Sequence, residues 1–204
     1  MIGPLFARGL VGVVAVAAVV VGAGTGCKQT GVGDPCVPEQ EYDPTFSGFV
    51  VDQVNVESKS YQCETRLCLV NHFQGRVSCP YGQDKEGQPP GGAKACVIPG
   101  TAEAISGPPD DTKNGKAVPP QCAGRTSEQA VYCSCRCANI DGRTDDGANY
   151  CQCPDGFACE QLVTSIGAGD TGLTGAYCIK ANTKYDRNKT GCDQTCDPAT
   201  KKCN

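Results

Sequence analysis

Seventeen cysteines carry most of the chemistry open to this chain of 204 residues. A thiol can form a disulfide, bind a soft metal as thiolate, act as a nucleophile or accept a lipid. The densest group is Cys133, Cys135 and Cys137 with Cys151 and Cys153. In a strand, residues two apart share a face, with Cα atoms about 6.8 Å apart. That is near the upper limit for a disulfide. Each of these cysteines is therefore expected to pair with another strand, stitching two facing ribbons together. The competing chemistry is a thiolate metal site. No Cys-x-x-Cys occurs anywhere in the chain, which removes the usual zinc knuckle and the thioredoxin-type redox motif.

The remaining candidates are weaker. Asp141, Asp145 and Asp146, with Asn149, are weak calcium candidates, because their spacing is not that of an EF-hand. His72 is the single histidine and cannot make a two-His metal site. No Gly-x-Ser-x-Gly surrounds a serine, and no phosphate-binding glycine loop occurs. The expectation is a non-catalytic chain with no cofactor and no bound metal. One alternative is a hydrolase working with carboxylates such as Asp141, Asp145, Asp146 or Glu160. No spacing selects a pair among them. Another is a protease-inhibitor-like module presenting a rigid exposed loop.

The redox compartment decides what the cysteines do. Met1 to Arg8 carries one positive charge, Leu10 to Val21 is an uncharged apolar run, and Ala23-Gly24-Thr25-Gly26 is a run of small residues. This is the layout of a secretory signal peptide. The apolar run is too short for a span, which needs about 20 residues. Cys27 follows the small residues directly. Thr25-Gly26-Cys27 resembles the lipobox of bacterial lipoproteins, with Gly24 where that family usually has Leu. The resemblance implies a diacylglyceryl thioether on the Cys27 sulfur and cleavage before it. Lys28, in place of the Asp that retains such proteins in the inner membrane, implies the outer membrane. A secreted soluble protein is the alternative. The odd cysteine count agrees with this: with Cys27 lipidated, 16 cysteines remain to pair.

Those sixteen are Cys36, Cys63, Cys68, Cys79, Cys96, Cys122, Cys133, Cys135, Cys137, Cys151, Cys153, Cys159, Cys178, Cys192, Cys196 and Cys203. Disulfides are needed because the core is thin. Residues 27–204, 178 in all (204 − 26), hold 5 Ile, 4 Leu, 12 Val and 4 Phe. These 25 are about 14% of that stretch, below the ~20% at which disorder becomes the default. The same stretch has 17 Lys and Arg (18 minus Arg8) against 22 Asp and Glu, a net of −5. An acidic chain without a basic run does not suit nucleic acid. The expected partners are the membrane, through Cys27, and a protein or envelope polymer.

The elements that must position these residues are short. The expected fold is small, disulfide-rich and mainly β, with two stapled modules and no long helix. We assign 1–26 to the signal peptide, 27–35 to the lipidated cysteine and tether, and 36–99 to a first module. A Pro/Gly-rich linker covers 100–120, a second module 121–180, and a cysteine-containing tail 181–204. Strands are predicted over 49–56, 67–70, 76–79, 94–98, 130–137, 150–153 and 176–180 from period-2 patterning and β-branched content. The pair 67–70 and 76–79 reads as a hairpin, and 157–163 is ambiguous between strand and helix. Cys36, Cys63, Cys68, Cys79 and Cys96 are five, so at least one must bridge beyond the linker. Cys122 is the nearest partner. Cys151-x-Cys153 with Gly156 and Phe157 is similar to the C-terminal half of an epidermal-growth-factor-like module. It departs from that family at Cys159, which follows Phe157 too closely.

Overall fold

The computed structural model describes residues 31–105, 117–163 and 173–186, together with Cys192. These residues are mainly β and contain no long helix. The first sheet holds β1 (Val54–Glu57), β2 (Cys68–Asn71) and β3 (Val131–Cys133), antiparallel, in the order β1-β2-β3. The second holds β4 (Arg136–Ala138), β5 (Phe157–Val163) and β6 (Gly175–Lys180), antiparallel, in the order β4-β6-β5. A single helical turn, α1 (Ser127–Ala130), leads into β3, and a 3-10 turn spans Glu39–Tyr42.

The two-residue period of the strands divides the core into layers. Cys68, Val70, Val131 and Cys133 turn to one side of the first sheet, among Cys36, Phe49, Cys63 and Phe73. Leu69 and Tyr132 turn to the other side, where they meet Tyr177 and Ile179 of the second sheet. Cys178 and Ala176 alternate with those residues and face a third layer with Cys135, Cys137 and Ala138. The central strand β2 is buried along its whole length, as its apolar run demands.

Seven disulfides join the described cysteines: Cys36–Cys68, Cys63–Cys133, Cys79–Cys96, Cys122–Cys192, Cys135–Cys151, Cys137–Cys159 and Cys153–Cys178. Such dense cross-linking fits an exported protein. Cys27, Cys196 and Cys203 lie outside the described residues. The cysteines at 133, 135 and 137 each pair away from their neighbours. Cys137–Cys159 joins the two edge strands of the second sheet across β6. The edges of a flat three-stranded sheet lie about 9.6 Å apart, but these Cα atoms are 5.9 Å apart. The second sheet is therefore strongly curled.

The odd set of five does bridge beyond residue 120, but through Cys63–Cys133 and not through Cys122, which pairs with Cys192. Cys68 and Cys133 are directly opposite in the β2–β3 register. The two segments thus share one sheet as well as a staple. The end of the 100–120 segment also packs. Val118 is buried and exchanges backbone N–H···O bonds of 2.9 Å in both directions with Gln83. Two glycines allow this approach. A Cβ on Gly75 would stand 2.4 Å from the Pro119 carbonyl oxygen, and one on Gly82 2.3 Å from that of Val118. Both have positive φ. Residues 106–116 lie outside the described part.

Several predicted strands take other forms. Arg76–Cys79 is a tight turn closed by the Cys79 N–H on the Arg76 carbonyl, so β2 finds its partners in β1 and β3. The 130–137 segment breaks into β3 and β4 because the Ser134 hydroxyl donates to the Cys178 carbonyl and its N–H to the Leu67 carbonyl. Residues 150–153 are irregular, although the Cys151 N–H donates to the Arg136 carbonyl. The ambiguous 157–163 segment is a strand, because six of its residues lie opposite β6.

Candidate functional site

The acidic residues singled out by sequence do not converge. Asp146 accepts bonds from Tyr150 Oη (2.6 Å), Asn139 Nδ2 (3.0 Å) and the Ala148 N–H (3.1 Å). These bonds, Tyr150 first, hold its carboxyl down to about 2. Asp145 takes both oxygens to Arg143 at 2.9 and 3.0 Å. Asp141 lies in the same exposed loop. The loop thus organises itself through its own donors. Glu160 is on β5, paired with Lys184 at 2.6 Å. His72 lies at the end of β2, in a left-handed backbone conformation. Its Nδ1 is 2.9 Å from the Val51 carbonyl, which assigns the proton to Nδ1. Its ring stacks on Tyr185 at 4.1 Å, so this imidazole is used in packing. Burial first, and then the Arg125 charge, push its pKa below the usual histidine value.

The structure assembles a different group. A cleft of about 490 Å³ is lined by Val37, Glu39, Tyr42, Glu57, Lys59, Tyr61 and Gln62. Val37 precedes the 3-10 turn, Glu39 and Tyr42 sit on it, Glu57 ends β1, and Lys59, Tyr61 and Gln62 follow in the β1–β2 connection. Glu57 Oε2 accepts the Glu39 N–H at 3.0 Å. Burial first, and the nearby Glu39 charge, raise the Glu57 pKa above the usual carboxylate value. Tyr61 is 85% exposed and Tyr42 47% exposed. The Arg66 guanidinium lies 4.2 Å from the Tyr61 ring centre and covers one face.

Disulfides and buried polar bonds position this group. Cys36 immediately precedes Val37, and Cys63 immediately follows Gln62. Their sulfurs and that of Cys133 lie within 4.8 Å of one another. The two arms of the cleft are therefore clamped at a common point. Between them, the Gln62 amide imitates a strand pair, with Nε2 donating to the Val37 carbonyl at 2.7 Å and Oε1 accepting the Val37 N–H at 3.0 Å. Beneath the turn, the buried Arg76 guanidinium donates to the carbonyls of Glu41, Asp43 and Phe46. The buried Glu41 carboxylate accepts the Val77 and Ser78 N–H groups and the Ser78 hydroxyl. Glu41 faces inward, so Glu39 and Tyr42 of the same turn face out.

Sequence reasoning missed Glu39, Tyr42, Glu57 and Tyr61 because 18 residues separate the two carboxylates. The available signal was the placement of Cys36 and Cys63 beside the two segments. It becomes readable only when the connectivity is known. A second cavity, of about 290 Å³, is lined mainly by small residues, with Tyr81 and Lys94. Among the described residues, no helix is long and apolar enough to cross a membrane. Comparison with protein-family models, curated proteins and solved structures gives no match.

Proposed function

We propose that this protein is an exported, lipid-anchored module of the cell envelope that works by binding and not by catalysis. The observation that carries this reading is the cleft: two exposed tyrosines and two carboxylates on a frame fixed by two adjacent disulfides. A preorganised frame lowers the ordering cost of binding. The acids named for hydrolysis from the sequence bond within their own loop or to Lys184 and do not converge, whereas Glu39 and Glu57 share the cleft, where this reading assigns them to ligand binding. Anchoring rests on Cys27 and its resemblance to a lipobox. Among the described residues fourteen cysteines are paired, and 17 − 14 leaves Cys27, Cys196 and Cys203 outside them. A Cys196–Cys203 bond would leave Cys27 for lipid. Ten residues from Cys27 to Val37 reach at most about 35 Å, so the cleft works near the membrane.

Intact mass spectrometry of the membrane-extracted protein, with thiol alkylation, tests the anchor. The expected species begins at Cys27, carries the lipid mass and has no alkylatable thiol. A chain beginning elsewhere with one free thiol would overturn the anchored reading.

A further inference from the structure

We propose that the cleft between the 3-10 turn and the β1–β2 connection binds a neutral oligosaccharide. Its pyranose faces stack on Tyr61 and Tyr42, and its hydroxyls bond to Glu39 and Glu57. This rests on the binding-module reading above and names the class of ligand.

Five features select that class. A large ring left 85% exposed keeps apolar surface in water, and an aromatic face attracts the weakly positive C–H face of a sugar ring. The Arg66 guanidinium holds one Tyr61 face and thereby orients the other toward solvent. The carboxylates are acceptors for hydroxyl donors, and such charge-assisted bonds are stronger than neutral ones. A carboxylate offers about four acceptor sites, of which the Glu39 N–H uses one on Glu57. Lys59, on the same rim, supplies a donor for ring or hydroxyl oxygens. The volume lies within the roughly 300–1,000 Å³ of small-ligand sites and suits two linked sugar rings.

Charge narrows the class further. Glu39 and Glu57 repel uronates, phosphates and other anions. Lys59, among the same lining residues, opposes a bare cation. A neutral polyol has hydrogen-bond donors and acceptors without either penalty. The paired Val37–Gln62 hydrogen bonds and the two flanking disulfides fix the two segments that carry the tyrosines.

The test is calorimetric and fluorescence titration of the full-length, oxidised protein with chitotetraose, cellotetraose and maltotetraose. The chain has no tryptophan, so its emission comes from seven tyrosines, two of them in the cleft, and Tyr61→Ala identifies the Tyr61 share. The expected result is saturable binding of at least one tetraose. Tyr61→Ala should weaken it about tenfold. A hyaluronan tetrasaccharide, which carries uronates, should not bind. Tyr61 is surface-exposed, so this variant should keep the wild-type circular dichroism. Glu57→Gln serves as a second variant that keeps the side-chain shape. If no tetraose binds at millimolar concentration, or if neither variant changes the affinity, the sugar proposal is overturned. Binding of a lysine-rich peptide that is lost in Tyr61→Ala would overturn the sugar class alone and support the module reading. No response to either probe would overturn both. Cleavage of a bound tetraose would support the ligand class and overturn the non-catalytic reading.

Discussion

The Cys63–Cys133 bond should be worth more than the Cys79–Cys96 bond, by an amount that loop lengths set. The first closes a separation of 70 residues and the second one of 17. The shorter loop lies inside the longer one, so the longer is effectively 70 − 17 = 53 residues. The loop-closure relation then gives about 4 kcal/mol for Cys63–Cys133 and about 3 kcal/mol for Cys79–Cys96. All four cysteines are at most 3% exposed. The cost of replacing buried sulfur by alanine therefore largely cancels between the two pairs. The expected difference is about 1 kcal/mol, or roughly fivefold in the folding equilibrium.

The assay is guanidinium unfolding of Cys63→Ala/Cys133→Ala and Cys79→Ala/Cys96→Ala at one temperature, with the other disulfides intact. Linear extrapolation gives both stabilities. Equal losses, or a larger loss at the shorter loop, would refute loop length as the source. The wild-type chain should unfold in a single transition, because β2 and β3 pair across the intervening segment. Two separate transitions would refute the shared sheet.

The remaining predictions concern buried polar groups. Glu41→Ala removes the acceptor for three donors and leaves the buried Arg76 charge uncompensated. It should cost about 3–5 kcal/mol by denaturant unfolding and also loosen the turn that carries Glu39 and Tyr42. His72 has a lowered native pKa, so below the ordinary value of 6.5 the unfolded chain binds a proton that the native chain resists. Stability should therefore fall as pH drops from about 7 to about 5, with Asp52 partly offsetting the slope. His72→Gln should flatten that part of the profile, and an unchanged slope would count against this assignment.

How much was legible depended on the kind of signal. Strands with alternating or continuous apolar content, such as those at Cys68–Asn71 and Gly175–Lys180, were visible because burial on two faces dictates their composition. The failed hairpin at Arg76–Cys79 shows the limit. Its valine and cysteine read as a strand, but the long-range bond from Gln121 Nε2 to the Arg76 carbonyl and the Glu41 bonds to the next two N–H groups claim its backbone. Those partners lie 35 or more residues away, beyond any local pattern. The parity of Cys36, Cys63, Cys68, Cys79 and Cys96 did carry long-range information. It required a staple between segments and could not say which cysteine made it.

The same limit explains why the site was hidden while the scaffold was not. Composition reveals a chain that lacks apolar mass, and therefore one that relies on cross-links. It does not reveal where those cross-links bring the surface together. With Cys36 and Cys63 clamped beside one another, the residues next to them, Val37 and Gln62, become neighbours, and the side chains a few positions further along line a shared cleft. In a large hydrophobic core, packing of many side chains would hold such arms apart at a set distance. Here two disulfides, one amide pair and one buried Arg–Glu network set it. Reduction should therefore release the cleft before the apolar layers of Leu69, Tyr132 and Tyr177 come apart. Cysteine placement in such a chain is thus a statement about the binding surface as well as about stability.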